Sequence, residues 1–203
     1  MIKDIIFEQK VRKEALLKEP YIPRYQTATL EKIAESCLIK VVLGPRRAGK
    51  SFFALHTFQP KSAAYVNFDD ENLLKVKNYN EIIQGALEVY GNTKYLLFDE
   101  IQNVPQWELL VNRLQRNGYN ILVTGSNSKL LSKELATHLT GRHLPVELLP
   151  FSFKEFLTCR NVNEHTEKTM TIEKRAEFLG YISSYMRDGG FPELVLHELK
   201  PEV

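Results

Sequence analysis

The chain has 203 residues, 43% of them hydrophobic, with 27 basic and 25 acidic side chains and a net charge of +2. That length holds one substantial domain with a small appendage, and it buries enough surface to fold without disulfides or structural metal. The near-balanced charge does not call for nucleic acid. No run approaches the roughly 18 apolar residues of a membrane-spanning helix, and the N-terminus lacks the apolar centre of a secretory signal, so the cytoplasm is the expected setting. Cys37 and Cys159 stand far apart and outside any CxxC pair, which argues against a disulfide framework or a zinc site.

Residues 8 to 18 read as an exposed charged helix that ends before Pro20, and YIPR follows as an extended linker. Residues 26 to 36 have helical apolar spacing at Leu30, Ile33 and Ala34. From there apolar runs alternate with helical patterns. The strand candidates are LIKVVLG (38–44), SAAYVNF (62–68), KYLLFDE (94–100), NILVTGS (120–126) and HLPVELLP (143–150). Helical patterns follow the first four: KSFFALHTF, YNEIIQGALEVY, PQWELLVNRLQRNG and SKLLSKELATHL. Short, nearly continuous apolar strands alternating with helices predict a three-layer α/β domain around a mostly parallel five-stranded sheet. The chain divides into an N-terminal helix and linker (1–24), a core (25–150) and a short helical extension (151–203). In that extension the aromatic spacing of FSFKEF (Phe151, Phe153, Phe156) predicts packing rather than a platform for bases.

Gly44-Pro45-Arg46-Arg47-Ala48-Gly49-Lys50-Ser51 fits GxxxxGK[ST] without a mismatch, after an apolar strand and at the start of a helical pattern. Glycines let the backbone curl so that successive N–H groups converge on phosphate oxygens, and the helix starting near Lys50 adds its positive end. The expected nucleotide contacts run from Gly44 to Phe52. Lys50 reaches the β- and γ-phosphates and the Ser51 hydroxyl ligates Mg²⁺, while Arg46 and Arg47 read as solvated charges. Some fifty residues on, Tyr95-Leu96-Leu97-Phe98-Asp99-Glu100 is an apolar strand ending in two carboxylates. Asp99 is placed to hold Mg²⁺ and Glu100 to polarise an attacking water. No NKxD guanine-reading string is present, so ATP and ADP are the expected ligands.

The fourth strand ends in Thr124-Gly125-Ser126-Asn127, where Ser126 or Asn127 can hold the attacking water or the γ-phosphate, or simply cap a turn. Arg142, before the fifth strand, is either a surface arginine or a group that stabilises phosphoryl charge. Asp69 and Asp70 read as caps of the next turn. The adenine contacts are expected around Pro23, Arg24 and Tyr25.

The strings GPRRAGKS, YLLFDEIQNVPQWE, ILVTGSNSKLLS, LTGRHLPVELLPFSFKEF and GGFPELV follow in that order and span most of residues 38 to 196. Together they resemble the prokaryotic AAA-like ATPases, related to AAA+ and STAND NTPases, that usually carry a C-terminal domain of unknown function. The resemblance implies an ASCE-type core in which the acidic strand lies between the P-loop strand and the TGSN strand. It implies Asp99 on Mg²⁺, Glu100 as the base and Ser126 or Asn127 as the sensor. Arg142 would act on the γ-phosphate of its own chain or of a neighbour. Because relatives continue past GGFPELV, the resemblance further implies an ATPase fragment or a shortened member.

The expected activity is Mg²⁺-dependent ATP binding and hydrolysis coupled to a conformational switch, with a protein partner or self-association. A nucleotide-gated switch with little turnover is one alternative. A DNA-associated motor or loader is another, weakly supported by the charge, and a P-loop kinase is disfavoured by Glu100.

Overall fold

In the computed structural model, residues 2–58, 62–126, 139, 141–162 and 171–197 are described. Five of the apolar runs form β1 (Ile39–Gly44), β2 (Ala64–Asn67), β3 (Tyr95–Asp99), β4 (Asn120–Ser126) and β5 (His143–Glu147). They make one sheet in the order β2-β3-β4-β1-β5, and every neighbouring pair is parallel. All six residues of β1 are buried, as expected of a parallel strand covered on both faces.

The alternation of side chains sorts the strands into two layers. Val41, Leu43, Val66, Phe98 and Val123 face one apolar cluster, which also takes Ile6, Ile82, Val111 and Leu114. These last come from α1 (Ile2–Leu16), α5 (Tyr79–Tyr90) and α6 (Trp107–Arg116), so three helices cover that face. Val42, Tyr65, Leu97 and Leu122 face the opposite cluster with Leu30 and Phe53, which belong to α2 (Thr27–Ile33) and α3 (Lys50–Phe58). The result is the three-layer α/β architecture that the sequence predicts. Between β2 and α5 the one-turn α4 (Glu71–Leu74) is capped by Asp70, whose carboxylate accepts from the Asn72 N–H.

The strand order corrects one expectation. β4, the TGS strand, lies between β1 and the acidic strand β3, so the acidic strand is not the middle one. Burial explains the order. β4 is the longest strand and its five central residues are all buried, so its backbone is best satisfied with a partner on each side: Leu122 beside Lys40 of β1 and Leu97 of β3.

A second correction concerns α1. It begins earlier than its charge pattern suggests and is not simply an exposed helix. Ile6 is fully buried against the sheet, and buried Lys13 donates to the Ala63 carbonyl at 2.9 Å. Gln9 closes the open side of edge strand β2. Its amide donates to the Asn67 carbonyl at 3.0 Å and accepts from the Asn67 N–H at 2.9 Å, supplying the ladder partner that an edge strand lacks.

After β5 come α7 (Phe153–Cys159), α8 (Ile172–Asp188) and α9 (Pro192–His197). Phe151, Phe156 and Val195 form a third apolar cluster with Phe153, Tyr185 and the linker residue Ile22, so FSFKEF is packing as expected. Gly190 seats this extension. Its carbonyl accepts from the Phe151 N–H at 2.7 Å, and a Cβ there would fall 2.0 Å from the Phe151 oxygen.

Candidate nucleotide-binding site

Strand β1 ends at Gly44 and helix α3 begins at Lys50, so the loop between them lies at the carboxyl edge of the sheet, where open α/β folds bind ligands. Arg47 (φ 64°) and Gly49 (φ 85°) are both left-handed, which curls the loop. Gly44 is required by contact rather than by torsion, because a Cβ would lie 2.0 Å from the Leu148 carbonyl oxygen. Lys50 is 4% exposed and its Nζ donates to the Pro45 carbonyl at 2.8 Å. Burial lowers its pKa below the usual ammonium value, against the opposing pull of Glu100 and Asp99. Arg46 and Arg47 are exposed, and Arg47 pairs with Glu193 at 3.4 Å.

The acidic strand delivers Asp99 directly beneath this loop. Ser51 Oγ donates to Asp99 Oδ1 at 2.8 Å, Tyr65 donates to Oδ2 at 2.8 Å, and Thr124 Oγ1 donates to Oδ1. Burial pushes the Asp99 carboxyl above its ordinary pKa, while the Thr124, Ser51 and Tyr65 hydroxyls pull it back. A carboxylate and a hydroxyl at this separation are the hard oxygen donors suited to Mg²⁺, which retains waters and takes few protein ligands. Ser51 and Asp99 therefore fit the ion.

Glu100 has the left-handed backbone φ 52°, ψ 43°, uncommon for a residue with a side chain. Its N–H donates to Thr124 Oγ1 at 3.2 Å and its carboxylate accepts from the Gln102 amide. Gln102 lies on a short 3-10 turn, Ile101–Asn103. The Asn103 amide anchors that turn to Phe68 O and Asp69 Oδ1, each at 3.2 Å.

Ser126 ends β4 in register with Gly44, beside the loop. Asn127 lies outside the described residues. Arg142 is not brought to the site. It precedes β5, and its carbonyl accepts from the Ile39 N–H at 3.0 Å, at the start of β1. Parallel pairing places the starts of β1 and β5 together, and the five-residue step from Ile39 to Gly44 spans about 17 Å along a strand. Arg142 thus stands at the far edge of the sheet from its own phosphate loop.

A cavity of about 290 Å³ adjoins Gly49 and is lined by Tyr21, Ile22, Phe52, Phe151, Pro192 and Leu196, among others. Tyr21 stacks on His56 at 4.5 Å, and Phe52 lies 4.2 Å from the same ring. The linker meets this cavity mainly through residues 19–22. Tyr25 is 86% exposed and points elsewhere, and the Arg24 guanidinium is committed to protein groups.

Sequence reasoning did not single out Tyr65, Thr124, Gln102 or Glu193. The first two carried a signal. Each puts a hydroxyl into an otherwise apolar buried strand, and a buried hydroxyl needs a partner.

A family model described as "AAA domain" matches residues 37–157. An uncharacterized protein of Methanocaldococcus jannaschii is 40% identical over 208 residues, covering 96% of this chain and 46% of that protein. An uncharacterized protein of Haemophilus influenzae is 34% identical over 180 residues, covering 82% of this chain and 42% of that protein. The chain thus spans less than half the length of either relative. Among solved structures, Hsp104 of Saccharomyces cerevisiae in a casein complex matches with TM-score 0.60 at 16% identity, over 96% of this chain and 38% of that one. AMPPCP-bound DnaA from Aquifex aeolicus matches with TM-score 0.52 at 12% identity, over 85% of this chain and 57% of that one. A STAND protein with a tetratricopeptide repeat sensor from Pyrococcus horikoshii matches with TM-score 0.51 at 17% identity, over 87% and 29%. The phosphate loop and the acidic strand both fall within the matched residues 37–157, and the chain belongs to the AAA domain family of P-loop ATPases.

Proposed function

We propose that the chain binds ATP with Mg²⁺ and hydrolyses it, using the binding energy to move its C-terminal extension. The observation that carries this reading is the 2.8 Å contact between Ser51 and Asp99 beneath the curled loop. Loop N–H groups and Lys50 would hold the β- and γ-phosphates. Ser51 and Asp99 would hold Mg²⁺, which when bound neutralises phosphate charge. Glu100 would take the proton of the attacking water, and Ser126, with Asn127, would bear on the γ-phosphate. The cavity beside Gly49 would take the adenine between Phe52 and the apolar side chains of the linker and α9. Pro192 and Glu193 meet the loop at Gly49 and Arg47, so a ligand in this site touches the extension directly. From the start of β5, Arg142 would serve a phosphoryl-stabilising role in a neighbouring molecule's site.

The engagement of the Glu100 carboxylate by Gln102 favours a second reading, a nucleotide-gated switch that turns over slowly until a partner releases Glu100. Steady-state phosphate release with and without Mg²⁺, for wild type beside Glu100→Gln, decides between the two. Hydrolysis by wild type that falls about 10²- to 10⁴-fold in the variant supports the ATPase. Tight ATP binding with no turnover in either supports the switch, and no ATP binding removes both.

A further inference from the structure

Arg24 leaves the linker as a buried cation, 6% exposed. Its Nε donates to Glu155 Oε1 at 3.0 Å, one terminal nitrogen donates to the Ala48 carbonyl at 3.0 Å, and the other donates to the Leu149 carbonyl. The guanidinium also lies 4.7 Å from the centre of the Phe151 ring. Glu155 is fixed in turn by the Tyr25 N–H at 2.8 Å and by the Ser152 N–H at 2.7 Å. One side chain thus ties the linker, the phosphate loop and the start of the extension together.

The contact with Ala48 has a chemical consequence. In a planar trans peptide the C=O and the next N–H point in opposite directions. A donor that holds the Ala48 carbonyl outward therefore turns the Gly49 N–H inward, to the concave side of the loop. Lys50 does the same for the preceding turn by holding the Pro45 carbonyl, but Lys50 also has to serve the phosphates. The three hydrogen bonds of Arg24 all go to protein groups, Glu155, Ala48 and Leu149.

We infer that Arg24 is a positioning residue for phosphate recognition: anchored by Glu155, it holds the Ala48–Gly49 peptide with the Gly49 N–H aimed at the nucleotide's phosphate oxygens. This rests on the nucleotide-binding reading of the site. The ligand class is a nucleoside di- or triphosphate, and Arg24 acts on its phosphates through the backbone, while its side chain also borders the cavity beside Gly49.

Lysine keeps the charge but cannot present the three-way fork, so Arg24→Lys separates geometry from charge. ADP affinity of wild type, Arg24→Lys and Leu114→Ala is measured well below their unfolding temperatures. Leu114→Ala serves as a remote variant that lowers stability without touching the loop. In parallel, the Gly49 amide is followed by ¹⁵N–¹H NMR as inorganic pyrophosphate is added. Arg24→Lys is expected to weaken ADP binding about 10- to 100-fold, as for loss of a hydrogen bond to a charged donor, and to lose the downfield Gly49 shift. Leu114→Ala is expected to bind like wild type. Wild-type ADP affinity in Arg24→Lys with an unchanged Gly49 shift overturns the inference while the nucleotide site stands. Equal weakening in Leu114→Ala also overturns it, making Arg24 a strut for stability alone. Failure of wild type itself to bind ADP removes the nucleotide reading, and this inference with it.

Discussion

Ser51 Oγ and Asp99 Oδ1 lie 2.8 Å apart, joining the first turn of the helix after the loop to the last residue of the acidic strand. The contact brings together residues 48 positions apart; burial raises the Asp99 pKa, and the Thr124, Ser51 and Tyr65 hydroxyls partly offset that rise. Under the proposed Mg²⁺-binding role, this buried carboxylate beside the loop serves function more than stability. Asp99→Asn is therefore expected to reduce ATP turnover by about a hundredfold or more while the thermal midpoint holds or rises. A marked fall in the midpoint at unchanged turnover would make Asp99 a structural group.

With the adenine in the proposed cavity, its aromatic wall would divide base recognition from phosphate recognition. Phe52→Ala removes a ring from that wall, and an aromatic contact of this kind is worth about 1 kcal/mol or more. ATP affinity is expected to fall about tenfold, with tripolyphosphate affinity unchanged. Calorimetric titration with both ligands checks this. Equal losses for both would place Phe52 in the loop's architecture instead.

The loop and the acidic strand were legible in the sequence because their chemistry is local. Eight consecutive residues, Gly44 to Ser51, carry the phosphate cradle, and Asp99 and Glu100 follow directly on their own strand. The strands themselves were plain as apolar runs, but their limits were less so: 62–68 shortens to Ala64–Asn67 and 143–150 to His143–Glu147, because apolar residues continue past the paired segment. What depended on three-dimensional pairing was not legible. Nothing along the chain says that β4 lies between β1 and β3, or that Arg142 starts its strand at the edge away from the phosphates. The packing of α1 was hidden because Ile6 is its one fully buried apolar side chain, Ile2, Ile5 and Leu16 are only partly buried, and polar Gln9 and Lys13 make specific contacts beside them. Arg24 was drawn toward adenine by its place in the chain, whereas its partner Glu155 stands 131 residues away.

The docking of the extension rests on a close backbone approach that one methyl group would block. Gly190→Ala would put a Cβ 2.0 Å from the Phe151 carbonyl oxygen. The expected loss is about 1–3 kcal/mol, typical of overpacking, read by urea unfolding, with faster proteolysis after Phe151. Unchanged stability would mean that the extension shifts freely against the core.

Two lysines make stability depend on pH in an unusual direction. Burial lowers Lys40 and Lys13 from the ordinary 10.5 to about 8. Between pH 8 and 10.5 the unfolded chain then binds more protons than the folded one at these positions, so their contribution to stability rises with pH across that window. Below pH 8 the folded protein carries the full cost of the buried charge. Lys40 also donates to the Ser36 carbonyl at 2.6 Å and to Asn120, so Lys40→Met loses those bonds and its share of the pH slope, while that of Lys13 remains. Urea unfolding of wild type and Lys40→Met at pH 7.5 and 9.5 is expected to show a smaller gain with pH in the variant. An equal gain in both would mean that Lys40 keeps an ordinary pKa.

Equilibrium binding of ATP to wild type and to Lys50→Ala, in the presence of Mg²⁺, bears most directly on the phosphate site. Lys50 is buried, bonded to the Pro45 carbonyl and placed at the first residue of α3. Its removal is expected to weaken ATP binding about tenfold or more while the fold persists. ATP affinity that is the same in both proteins, or absent from wild type, would contradict a nucleotide site at this loop.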